Sequence, residues 1–96
     1  MVTHVVLIKP KADTTAEQIQ TILEQAKDLQ QIIPGIVDAQ VGKNQGGQQQ
    51  GYSYGLIMQF ENMERLQAYM PHPAHQVVGK EIMRLCESII EFDLAQ

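Results

Sequence analysis

The chain has 96 residues, enough for one domain, 1–96, and too few for two. Seven Lys+Arg against 11 Asp+Glu give a formal charge of −4. Neither nucleic acid nor an anionic membrane is therefore expected as a partner, because both need clustered positive charge. At 44 % hydrophobic residues the composition is globular, and no apolar run nears the ~20 residues that cross a bilayer. Met1-Val2-Thr3-His4 lacks the charged start and apolar stretch of a secretory leader. The one cysteine, Cys86, forbids an internal disulfide, so a cytoplasmic location is expected.

Val2 to Lys9 reads as a strand with His4, Val6 and Ile8 on one face and Val5 and Leu7 on the other. Both faces are apolar, so both call for cover. Pro10 ends it. A helix is predicted from Thr14, with Thr14 and Glu17 at capping-box spacing. Ala16, Ile19, Leu23, Ala26, Leu29 or Gln30, and Ile33 follow at helical intervals. Pro34-Gly35 stops it. Ile36 to Lys43 reads as a second strand, with Val37, Ala39 and Val41 on one face. Asn44 to Gly51, rich in Gly and Gln, reads as a loop. The third strand spans Tyr52 to Phe60, with Tyr52, Tyr54, Leu56, Met58 and Phe60 on one face. Asn62 caps a short helix, Met63 to Met70, which Pro71 breaks. Pro73 suits the first position of a final helix running to about Cys86. A fourth strand covers Ile89 to Leu94.

The order β-α-β-β-α-β is the ferredoxin-like split βαβ pattern, an α+β fold. It makes a four-stranded antiparallel sheet with the helices on one face. Two helical segments cannot cover both faces, so a second copy is expected over the free one, giving a homodimer. A monomer with an unusually apolar back face is the alternative.

Three histidines stand out. His72 and His75 flank Pro73-Ala74 at the helix break, with Tyr69 just upstream and His4 on the first strand. From His75, Val78 and Ile82 follow at i+3 and i+7, so its side chain is expected to face the sheet. Tyr69, three residues after Leu66, faces the same way. A neutral imidazole accepts a proton, and a buried phenol donates one to a carbonyl or developing oxyanion. His4 joins this pocket if its strand face looks toward the helices, as do Tyr54 and Leu56 if theirs does. Other readings stay open. Inward histidines often serve only as hydrogen-bonded core residues. His72, His75 and His4 could also be a metal set, although no carboxylate lies near them in sequence. His72 is counted with the substrate-binding residues, although it also suits the N-cap position, where it would only shape the turn. Cys86 and the methionines read as packing residues.

His4-Val5-Val6-Leu7, Ile32-Ile33-Pro34, Gly42-Lys43, Gly51-Tyr52, Phe60-Glu61 and Phe92-Asp93 fit one further pattern, together with the signature Tyr69-x-x-His72-Pro73-Ala74-His75. In these residues, across Thr3 to Asp93, the chain resembles the stress-responsive dimeric α/β-barrel family, Dabb. That resemblance implies a dimeric α/β barrel. Through a plant polyketide cyclase of the family it implies His75 as base and Tyr69 as the group that polarises a carbonyl. It also implies a substrate pocket reached by His4, with Tyr54 in place of a second strand histidine. Leu23 and Ala26 stand where that cyclase has aromatic alkyl-pocket residues, so a polyketide substrate is not implied.

The expected function is cofactor-independent proton transfer next to a carbonyl, of cyclase or lyase type, on a small apolar or β-keto ligand. No cofactor and no metal are expected. The alternative is a non-catalytic dimeric protein, stress-related or binding a small ligand. An open cavity beside His75 favours the first, and a filled space favours the second.

Overall fold

The structure is a computed structural model that describes residues 1–47 and 50–95. Its elements are β1 (Val2–Pro10), α1 (Ala16–Asp28), β2 (Ile36–Lys43), β3 (Tyr54–Phe60), α2 (Met63–Tyr69), α3 (Pro73–Leu85) and β4 (Cys86–Ala95). A 3-10 turn, Leu29–Gln31, extends α1. The described strands form one antiparallel sheet in the order β2-β3-β1-β4. This is the ferredoxin-like α+β architecture expected from the element order.

The two central strands, β1 and β3, alternate cleanly. Val2, His4, Val6 and Ile8 of β1 and Tyr54, Leu56, Met58 and Phe60 of β3 are buried beneath the helices. Helix α1 brings Ile19, Ile22, Leu23 and Ala26 onto them, and α3 brings Val78, Ile82 and Leu85. The opposite face carries Val5, Leu7 and Ile57, with Ile90 and Phe92 aligned to Leu7 and Val5 by register. In the single chain Ile57 is 45 % exposed and Phe92 52 %.

Four local details differ from the sequence expectation. Helix α1 is capped by Thr15, not Thr14. The Thr15 hydroxyl accepts from the Gln18 N–H at 3.1 Å, and the Gln18 side-chain carbonyl accepts from the Thr15 N–H at 2.9 Å. Thr14 instead donates its hydroxyl to the Leu85 carbonyl at 2.7 Å, tying the start of α1 to the end of α3. Ala16 is consequently exposed. A register shift between Ile36 and Asp38 turns Val37 outward and leaves Ile36 and Ala39 as the buried β2 residues. Pro10 remains in its strand, opposite Cys86 across a second irregularity. Cys86 itself opens β4 instead of ending α3, so helix and strand join without a loop.

Replacing Thr15 by Ala should cost about 1 kcal/mol, the usual worth of such a cap, read as a lower midpoint in urea with an unchanged slope. Thr14→Ala tests a different contact, the link to α3.

Gly35 makes the turn into β2 with φ +96°, and a Cβ there would meet the Arg65 side chain at 2.6 Å. Both facts require glycine. Of the loop expected over 44–51, residues 48 and 49 lie outside the described residues. Around them Asn44 donates its amide to the carbonyls of Gly47 and Tyr52.

Candidate active site

The break between α2 and α3 places two aromatic rings together. Helix α2 is a short piece capped by the Asn62 side chain, and its core side carries Leu66 and Tyr69. Pro73 then starts α3, with His72 as N-cap, its Nδ1 accepting from the Ala74 N–H at 3.1 Å. His75 falls at the third helical position. Its Nδ1 lies 2.8 Å from the Met70 carbonyl. A carbonyl only accepts, so Nδ1 carries the proton, and in the neutral ring Nε2 keeps its lone pair. Gln76 donates to the same carbonyl at 3.0 Å. The last turn of α2 thus fixes the His75 ring, 4.3 Å from that of Tyr69 centroid to centroid.

His4 is held in a parallel way. It is 3 % exposed, between Phe60 and Tyr69, and its Nδ1 donates to Asp93 Oδ1 at 2.6 Å. Register makes this possible: His4 and Asp93 are direct partners across β1 and β4. Again Nε2 is the nitrogen left over.

Tyr69 lies between the two imidazoles, 1 % exposed. Burial, and secondarily the negative charge of Glu91, push its ionisation well above the ordinary phenol range. Its hydroxyl makes no hydrogen bond to another described residue. At neutral pH it is a proton donor, not a phenolate. The raised value also fixes a pH dependence. Unfolded tyrosines lose their protons near pH ~10 while Tyr69 keeps its own, so its stabilising effect is complete below that pH and is lost as pH rises. An ultraviolet titration should show one of the three tyrosines ionising only together with unfolding.

These groups share a cavity of about 420 Å³. His4, Tyr69 and His75 line one part of it, and Val6, Ala26, Leu56, Ile82 and Ile89 supply apolar walls. The exposed Gln76, Lys80, Met83 and Glu91 border its opening. Of the residues singled out in the sequence, His4, Ala26, Leu56, Tyr69 and His75 come together here. Leu23, Tyr54 and His72 do not. Leu23 packs into the core, and His72 caps α3. Tyr54, at the far end of β3, lines a separate recess of about 600 Å³ beside Tyr52, Lys43 and the back-face residues Leu7, Ile57 and Ile90. Asp93, which bonds His4, and Glu91, which borders the cavity, are not picked out by the sequence. The signal available was their alternation with Ile90 and Phe92, which puts both on the helix side once the register is known. Among the described residues no three His, Cys, Asp or Glu side chains gather as a metal site would.

The model of the stress responsive A/B barrel domain matches residues 2–96. The chain belongs to this family, Dabb. It is 31 % identical over 94 residues to olivetolic acid cyclase of Cannabis sativa, covering 96 % of this chain and 93 % of that one. Among solved structures it is similar to a dimeric ferredoxin-like protein of unknown function from Jannaschia, with TM-score 0.87, 26 % identity, and coverage of 99 % and 98 %. It is also similar in fold to the hydroxynitrile lyase of Passiflora edulis, with TM-score 0.87, 22 % identity, and coverage of 97 % and 90 %. Other solved neighbours are dimeric as well. No described helix is long and apolar enough to cross a membrane.

Proposed function

We propose that this Dabb protein is a cofactor-independent enzyme that moves a proton next to a carbonyl, in a reaction of cyclase or lyase type. The observation that carries this is the unspent pair: the Tyr69 hydroxyl and His75 Nε2 bordering one open cavity. A carbonyl oxygen bound to Tyr69 O–H is polarised, which acidifies the neighbouring C–H. His75 Nε2 takes that proton, and the enolate charge rests on the oxygen held by Tyr69. The same Nε2–H returns the proton after a carbon–carbon bond has formed or broken. His4, oriented through Asp93, offers a second Nε2 on the other side of Tyr69. The apolar walls suit a small apolar or β-keto ligand. Relatives named as a cyclase and a lyase support the reaction class.

The working form we propose is a homodimer through the sheet face opposite the helices, where Leu7, Ile57, Ile90 and Phe92 seat a second copy, as the dimeric neighbours support. Cys86, a free thiol, fits a reducing compartment, and the cytoplasm is the proposed location. The test of function is α-proton exchange of acetoacetamide in D2O, followed by NMR above the buffer rate. Exchange lost in His75→Ala supports the assignment, and unchanged exchange in that variant sinks it. Binding without exchange in the unaltered protein would instead make this a non-catalytic small-ligand carrier.

A further inference from the structure

Resting on that reading of the cavity, we infer that Glu91 is a specificity residue that admits carbonyl compounds bearing a hydrogen-bond donor, such as an amide, and turns away those bearing a free carboxylate. Glu91 lies on β4 directly opposite Val6, on the strand face that looks toward the helices, two residues before Asp93. It lines the cavity together with Tyr69 and His75. The two carboxylates have different tasks. Asp93 is committed to His4 at 2.6 Å. Glu91 has no hydrogen bond or ion pair with any described residue, so its oxygens are available to a ligand.

The charged and titratable groups around the cavity are His4 from β1, Glu91 from β4, Tyr69 from α2, and His75 and Lys80 from α3. Lys80 supplies the positive charge at the opening, on an exposed and flexible side chain. Burial first, and then the negative charge of Glu91, raise the ionisation of Tyr69, with which Glu91 shares the cavity. A ligand whose carbonyl oxygen sits on Tyr69 therefore places its next polar group within the field of Glu91. An N–H or O–H there is attracted, and a carboxylate there is repelled. Removing one like-charge repulsion between partly solvated groups a few ångströms apart is worth on the order of tenfold in binding.

The test compares acetoacetamide with acetoacetate, which differ in one group and one charge. Binding of each is measured by NMR titration in the unaltered protein, and in Glu91→Gln and Glu91→Asp variants. The amide should bind about tenfold more tightly to the unaltered protein and to Glu91→Asp, with the two probes drawing level in Glu91→Gln. Preference for acetoacetate in the unaltered protein would show that Lys80 sets the selectivity and would overturn the inference. So would a preference unchanged in Glu91→Gln, or no binding of either probe. Repeating the titrations in His75→Ala, which lacks the proposed base, keeps the question separate from catalysis. An intact preference together with no exchange in the unaltered protein, or with exchange that persists in His75→Ala, counts against the proposed reaction alone.

Discussion

His75→Ala should abolish measurable α-proton exchange, a fall of about 10²–10⁴-fold, while leaving the fold and the dimer intact. The ring sits at the cavity edge with its Nδ1 on the Met70 carbonyl, so truncation removes one hydrogen bond and no core volume. Tyr69→Phe should lower exchange by about 10²–10³-fold, the usual cost of one oxyanion donor. That substitution keeps the ring that packs on Phe60 at 5.0 Å, so the circular dichroism spectrum should not change. The pair of variants also separates roles. Loss of the base lowers the rate at every pH, whereas loss of the phenol removes the alkaline tyrosine titration as well. Equal turnover by both variants and the unaltered protein would refute both assignments.

The second large effect concerns assembly. Leu7→Glu or Ile57→Glu should convert the dimer to single chains, seen by light scattering as a halved mass. Both residues lie on the face away from the helices, paired through Val5, Gly55 and their neighbours. Two-fold symmetry places each substitution in the interface twice. Each unpaired charge buried there costs about 3–5 kcal/mol, so dissociation should strengthen by at least ~10³-fold. A variant that keeps the dimer mass would show that association uses another surface.

The architecture was legible because its signals repeat. Alternation in β1 and β3 extends over enough residues to fix both faces, and Pro34-Gly35 and Pro71 punctuate the chain unambiguously. Single-residue choices were not. Thr14 and Thr15 are each followed three residues later by a side chain that can complete a capping box, Glu17 or Gln18, and only the contact with Leu85 decides between them. Val37 obeys the alternation of a regular strand and is turned out by a bulge that nothing local announces. In the candidate site, the Tyr69 and His75 pairing followed from helical spacing. Leu23 and Ala26 share one helix face, yet the short Ala26 borders open space while Leu23 fills the core. Asp93 and Glu91 sit in a segment, Ile89 to Leu94, that reads as a strand, but which face they take depends on pairing with a strand more than 80 residues away.

Strand β4 has a consequence of its own. Its odd and even positions serve different neighbours: Ile90 and Phe92 look away from the helices, while Glu91 and Asp93 look toward the cavity. A slip of one residue would exchange the two sets, pushing a benzyl group into the pocket and a carboxylate onto the apolar face. Because α3 passes into β4 at Cys86 with no intervening loop, an insertion there has no slack to absorb it. Assembly and chemistry are thus read in the same phase of one strand, and a frame error in that strand would strike both together.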